Sequence, residues 1–163
     1  VHNNQVYGLT KGQASPTSDP GFVTKIQTHG VVAQPVNPLA LAIVEDVGLV
    51  ARSFSGDRDH LRAMMVAALQ FEGGFALLDI LQPCISFNKL NTFAWYRERV
   101  RHIPDSHDPT DRAAALQLAF KWGEEIPIGI FYRGTRPSFE SRLAVLERGT
   151  LVAQYAAAEG AGA

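Results

Sequence analysis

The sequence predicts an α/β fold built on a parallel sheet, and three observations carry that expectation. Residues 49–54 read as a strand. Asp57 is placed to cap a helix whose apolar positions Leu61, Met64, Met65, Ala68 and Leu69 make one amphipathic stripe, ended by Gly73-Gly74. Residues 75–81, FALLDIL, are nearly continuous apolar sequence, as in a strand covered on both faces. Strand, helix and strand of these lengths form a βαβ unit, with parallel strands and a right-handed crossover. Pro83 ends the second strand and leaves Cys84 just past its carboxyl end, the edge where open parallel sheets collect ligands.

The remaining elements follow in chain order. Val1-His2-Asn3-Asn4 reads as the last step of a strand and its exit, so the chain reads as the downstream part of a longer polypeptide. Residues 10–38 are polar and rich in Pro and Gly with no periodicity, and loops of that length tend to be functional or mobile. Asn37-Pro38 gives a helix start through Leu39, Ala42, Ile43 and Val47, ending at Gly48. Beyond Cys84, Asn91 is expected to cap a helix through Trp95, Tyr96 and Arg99, and Asp108-Pro109 to open another through Ala113, Leu116 and Phe120. Residues 126–132, IPIGIFY, form a short strand. Pro137 is expected to start a last helix through Phe139, Leu143 and Leu146, closed by Gly149. The low-complexity run 156–163, AAAEGAGA, reads as a frayed tail.

Composition narrows the function classes. In 163 residues, 15 Lys and Arg against 16 Asp and Glu give a formal charge of −1, which argues against a nucleic-acid binder resting on bulk positive charge. Apolar residues make up 46%, enough for a real core, and no apolar run nears the ~20 residues that span a bilayer. A single cysteine excludes an internal disulfide framework and fits a reducing, cytoplasmic setting.

Four places carry chemistry. Asn4 at a strand exit, with the carbonyl of Val6 two residues on, offers two neutral oxygens of the kind Mg²⁺ takes, although asparagine pairs most often simply form turns. Tyr7-Gly8-Leu9-Thr10-Lys11-Gly12 packs a cation, two glycines and hydroxyls into a loop able to approach an anion, without being a P-loop. Cys84 reads either as an inert buried thiol or as one ligand of a metal cluster completed from elsewhere. Arg97, Arg99, Arg101 and His102 read as a solvated helix face or, more sharply, a patch for an acidic partner. The five histidines lack metal-ligand spacing, His60 is expected at the surface, and Met64-Met65 on the core stripe.

Taken together, NNQVYGLTKGQASPTS (3–18), VNPLALA (36–42), VARSFSGD (50–57), LLDILQPCISFN (77–88) and IPIGIFY with the following RPSFE (126–140) resemble the β subunit of 2-oxoacid:ferredoxin oxidoreductases. YGLTKGQ-x-SPT and LQPC-x-x-FN are the most specific parts, and the likeness covers roughly residues 1 to 150. It implies the diphosphate-binding half of a thiamine-diphosphate fold, truncated at the N-terminus (1–88), then a C-terminal α/β extension (89–150) and a disordered tail (151–163). It implies Mg²⁺ held by Asn4 and the Val6 carbonyl, thiamine diphosphate near Asn4, Val6, Tyr7, Gly8, Leu9 and Thr10, and Leu9, Thr10 and Lys11 facing substrate. Cys84 would be the fourth ligand of a 4Fe-4S cluster. The upstream Gly-Asp-Gly motif and three cluster cysteines are missing here, so the chain alone is expected to hold neither a stable cluster nor a complete cofactor site.

The activity implied is oxidative decarboxylation of a 2-oxoacid such as pyruvate or 2-oxoglutarate, with coenzyme A taking the acyl group and electrons leaving through the cluster to ferredoxin. The thiamine-activating glutamate belongs to the α subunit in that family, so a hetero-oligomer is implied, with no nucleic acid and no membrane among the partners. Two other readings stay open: a different thiamine-dependent enzyme sharing this half, and a catalytically silent α/β interaction module.

Overall fold

A computed structural model describes residues 1–160. Short strands β1 (His2–Asn3), β2 (Val6–Tyr7) and β3 (Gln13–Ala14) come first, followed by a long irregular stretch up to helix α1 (Pro38–Val44). Next are β4 (Leu49–Phe54), α2 (Arg58–Leu69) and β5 (Ala76–Leu81), the expected βαβ unit. Helix α3 (Phe93–Arg99), β6 (Val100–His102), α4 (Arg112–Ala119) and β7 (Ile126–Arg133) complete the body. Two 3₁₀ turns, Glu140–Arg142 and Ala144–Arg148, lead to α5 (Leu151–Gly160).

Five strands form one sheet in the order β1-β5-β4-β7-β6, while β2 and β3 make a separate antiparallel hairpin. β1 is parallel to β5, with His2 opposite Ile80 and Asn3 opposite Leu81. β4 is parallel to β5. β7, however, runs antiparallel to β4, with a register shift at Val50/Ala51, so the sheet is mixed although mostly parallel. Strand polarity is set by the connection: the chain crosses over through α2 between β4 and β5, but reaches β7 after a longer excursion that lets it enter from the opposite end.

The apolar core lies on the sheet. Leu39 and Ile43 of α1 and Ala115 and Ala119 of α4 pack with Val50 and Phe131. Phe54, Leu81, Ile126 and Ile128 pack with Tyr96 of α3. The stripe of α2 is only half covered: none of its residues is fully buried, and Met65 and Leu69 are exposed.

Caps explain the helix boundaries. Asn37 and Asp57 cap α1 and α2 as expected, each accepting from a backbone N–H three residues on. α1 stops at Val44, short of Gly48, because Asp46 adopts a left-handed φ of 57°. Thr92 caps α3 in place of Asn91, and Asp111 caps α4 in place of Asp108, in each case because the later side chain reaches the free N–H groups. No continuous helix forms between Pro137 and Gly149; two 3₁₀ turns take its place. α5 stands where a frayed tail is expected, and the end of that run, 161–163, lies outside the described residues.

Two carboxylates hold the layers together. Asp79 on β5 meets Arg52 on β4 with Nε to Oδ2 at 3.0 Å, both side chains almost wholly buried. The guanidinium also faces the rings of Trp122 and Phe131 at 5.4 and 5.6 Å. Asp46 ties three further segments: Arg112 of α4 at 2.7 Å, Arg136 at 2.9 Å and the Tyr132 hydroxyl of β7. The Tyr132 hydrogen bond, followed by the two guanidinium groups, holds its carboxyl below the usual carboxylate range against the cost of burial.

Asp79→Ala strands the Arg52 charge in the core and is expected to cost about 3–5 kcal/mol of unfolding free energy. Denaturant titration of that variant against Asp79→Leu combined with Arg52→Met checks this, since the double replacement should recover most of the loss.

Candidate functional site

β1 and β5 leave the same edge of the sheet side by side, and the ladder continues one step further with the Gln82 N–H donating to the Asn3 carbonyl at 2.9 Å. Everything that follows β1 is built on that exit. Asn4 Oδ1 accepts the Val6 N–H at 3.1 Å, a local turn that brings its amide oxygen beside the Val6 backbone. Asn3 Oδ1 accepts the Thr17 hydroxyl at 2.7 Å and the Gln5 N–H at 3.3 Å.

Gln5 turns the chain. It is buried, with a left-handed φ of 56°. Its Nε2 donates to the Thr17 carbonyl at 2.9 Å and to Asp19 at 3.3 Å, and its Oε1 accepts the Tyr96 hydroxyl at 3.1 Å. Burial pushes the Tyr96 phenol well above its ordinary range, so it stays a donor. The Ser18 hydroxyl bonds the Gln5 carbonyl. A non-glycine residue in this conformation is held there by its surroundings.

The hairpin β2–β3 follows, with Val6 opposite Ala14 and Tyr7 opposite Gln13. Its turn closes through Lys11 N–H to Gly8 O and Gly12 N–H to Tyr7 O, both at 3.0 Å. Lys11 sits at φ 65° and Gly12 at φ 113°, where the close approach of Thr24 leaves little room for a Cβ. Thr24 Oγ1 donates to the Gly12 carbonyl at 2.6 Å, tying the turn to the loop behind it.

The result is an open cleft of about 770 Å³ lined by Asn4, Val6, Tyr7, Gly8, Leu9 and Thr10, with Thr17, Val36 and Pro38 opposite. Of the sequence-expected site residues, these six share one cavity. Lys11 stands exposed at the turn, outside that lining, and Leu9 is 99% exposed. Cys84 lies in a neighbouring groove of about 390 Å³ with Lys89 and Arg97.

The Cys84 environment suits a thiolate. Burial pushes the thiol up, but the N–H groups of Phe87, Ser86 and Asn88, with the Lys89 charge, pull it down further, leaving it below the ordinary thiol range. The Phe87 N–H approaches Sγ at 3.4 Å. The side chain packs, with Phe87, against Val6, Phe22 and Val31. This donor set fits one ligand of an iron–sulfur cluster, and the chain has no second cysteine. Asn4 Oδ1 and the Val6 carbonyl are hard, neutral oxygens, which fits Mg²⁺.

Other expectations change. His60 is half-buried: its Nδ1 shares a proton with Ser53 at 2.8 Å, and its ring lies 4.6 Å from that of His102. His102 pairs with Asp57 at 2.9 Å, and Arg99 packs over Trp95, so the basic cluster does not form one free face. Among the described residues no group of three His, Cys, Asp or Glu side chains is arranged to hold a metal, and no helix is long and apolar enough to cross a membrane. Sequence reading missed Gln5, which carries no motif signal, and took Asn88 as a polar neighbour of Cys84 and the last residue of LQPC-x-x-FN, with no role assigned to it.

A cleft at the strand exits of a mostly parallel sheet is where open α/β folds gather ligands, and residues 1–80 match the family model described as thiamine pyrophosphate enzyme, C-terminal TPP binding domain. Residues 84–148 match the family model for the C-terminal part of the pyruvate ferredoxin oxidoreductase β chain. The chain belongs to the family of 2-oxoacid:ferredoxin oxidoreductase β subunits. It is 40% identical over 156 residues to the β subunit of 2-oxoacid:ferredoxin oxidoreductase 1 of Aeropyrum pernix, covering 88% of this chain and 49% of that one. It is 38% identical to the corresponding subunit of Saccharolobus solfataricus, covering 88% and 51%. The solved structure of 2-oxoglutarate:ferredoxin oxidoreductase from Magnetococcus marinus, with 2-oxoglutarate, coenzyme A and succinyl-CoA bound, superposes with a TM-score of 0.82 at 35% identity over 94% of this chain and 55% of that one. The chain spans about half the length of the curated relatives it matches.

Gln5→Leu orphans the Tyr96 hydroxyl and the Thr17 carbonyl, and should cost about 1–3 kcal/mol for each buried group left unpaired. In a double-mutant cycle with Tyr96→Phe, unfolding free energies should show a coupling of about 0.5–3 kcal/mol between the two.

Proposed function

We propose that this chain is the cofactor- and cluster-holding part of a 2-oxoacid:ferredoxin oxidoreductase β subunit, working with an α subunit. The observation that carries the reading is the convergence of two strand exits about eighty positions apart in sequence: Val6 and Cys84 pack in one apolar cluster beyond β1 and β5. The overall reaction takes a 2-oxoacid anion, coenzyme A and two oxidised ferredoxins to acyl-CoA, CO₂, one proton and two reduced ferredoxins. Bound thiamine diphosphate supplies the carbanion chemistry that cleaves the bond to the carboxylate.

The chain's own residues position and compensate. Asn4 Oδ1 and the Val6 carbonyl would hold Mg²⁺, which would offset diphosphate charge that is costly to bury. Tyr7, Gly8, Leu9 and Thr10 form the wall of the cleft, and the Thr10 hydroxyl, donating to the Tyr7 carbonyl at 3.2 Å, fixes the turn that presents them. Lys11 at the tip attracts the carboxylate of the 2-oxoacid or the phosphates of coenzyme A. Cys84 supplies one thiolate to a 4Fe-4S cluster, and ferredoxin takes up the electrons.

Two substitutions in the enzyme assembled with its α subunit test this reading. Cys84→Ser should diminish the cluster absorbance and slow ferredoxin reduction at least tenfold, a change of about 1.4 kcal/mol in barrier; wild-type spectra and rates would remove the ligand role. Asn4→Ala should weaken Mg²⁺-dependent cofactor binding by about tenfold, the effect of losing one charge-assisted contact. Calorimetry returning wild-type affinity would remove that assignment.

A further inference from the structure

We propose that Asn88 is a positioning residue that fixes the Cys84 turn against the Asn4–Val6 strand exit, and so sets the gap that electrons cross from the cofactor to the cluster. This rests on the function proposed above and extends it to a residue that is a ligand of neither group in that reading.

Asn88 is 1% exposed and spends every side-chain hydrogen-bonding position inside the protein. Its Nδ2 donates to the Asn4 carbonyl at 3.2 Å and to Asn91 Oδ1 at 3.0 Å. Its Oδ1 accepts the N–H groups of Leu90 and Asn91, both at 3.0 Å. Its own N–H donates to the Cys84 carbonyl at 3.3 Å. One short amide thus grips the cysteine turn by its backbone, the following turn by its oxygen, and the cofactor-side exit by its nitrogen. Neither Asn4 nor the turn from Cys84 to Asn91 belongs to a helix or a strand, so neither is held by a ladder of its own. The apolar contacts of Phe87 and Cys84 with Val6 close the space beneath this link without fixing its direction, since such packing is non-directional.

The residue type follows from that geometry. Only a side chain with two donors and two acceptors on a single methylene makes all of these contacts. Aspartate keeps the acceptor for Leu90 and Asn91 but turns the donor toward Asn4 into a repelling oxygen. Electron transfer falls steeply with distance, whereas substrate binding depends on the cleft wall, so the two readouts separate.

The test uses the assembled holoenzyme and three variants. Asn88→Asp and Asn88→Ala should reduce the cluster by 2-oxoacid about tenfold more slowly in stopped-flow absorbance, with KM for the 2-oxoacid within about twofold, as expected where misplacement of about 1 Å costs rate and not binding. Electron paramagnetic resonance of the dithionite-reduced cluster should show a shifted signal in both. Asn91→Ala, which removes the other Nδ2 acceptor and leaves the bond to Asn4, should keep cluster reduction within about threefold of wild type, because Asn91, although buried and bonded to Asp19, does not hold the Asn4 exit. A folded Asn88→Asp enzyme with wild-type cluster reduction and an unchanged resonance signal overturns the inference, as does Asn91→Ala slowing the step equally. A wild-type holoenzyme lacking the cluster or the cofactor would overturn the functional reading itself, which keeps the two failures apart.

Discussion

The parallel pairing of β1 with β5 is the constraint on which the rest of the structure depends. With Asn3 opposite Leu81, the chain leaves the sheet twice at the same height, once into the hairpin and once into the cysteine turn. A slip of one residue would turn Asn3 out of its buried position and send the side chains of each exit to the opposite face. On the other side of β5, Arg52 and Asp79 sit opposite each other and tie it to β4 below the exits. A buried charge pair of this kind is weak evidence for net stability, but breaking it leaves a buried charge without its partner.

Above the exits, polar groups take over from the ladder. Asn3, Gln5, Ser18 and Asn88 are all buried, and each satisfies backbone groups that no helix or strand reaches. This is what lets a segment of more than twenty residues with no regular secondary structure, between β3 and α1, keep a defined shape. The loop is ordered by amides and hydroxyls and not by an apolar stripe, which also leaves its cleft face free of obligatory contacts.

That division explains how much could be read from the residues. The βαβ unit was legible because its signals are local: an alternating or continuous apolar run, a capping Asp57, a Gly73-Gly74 stop. The hairpin wall of the cleft was legible as a set of residues, Asn4 to Thr10, but not as a hairpin, because two-residue strands carry no periodicity. The polarity of β7 was not legible, since IPIGIFY reads alike in either direction and the direction is set by the path through α3 and α4. Cap positions slipped from Asn91 to Thr92 and from Asp108 to Asp111 because several capping residue types stand close together, and only the backbone angles choose between them. Gln5 was silent, and Asn88 was legible as a motif residue but not in its role, for a different reason: their partners lie up to 91 positions away, beyond the reach of any local pattern.

The clasp around Asp46 has a consequence for how this domain meets acid. Its carboxyl is held below the usual range, so the stabilisation it gives is complete above the ordinary carboxylate value and lost only as pH falls through the still lower value of the folded state. The joint between the α1–β4 corner, α4 and the segment after β7 is therefore indifferent to mild acidification. The proposed reaction releases a proton with each turnover, and a joint insensitive to that proton keeps its ion pairs in the presence of the reaction's own product.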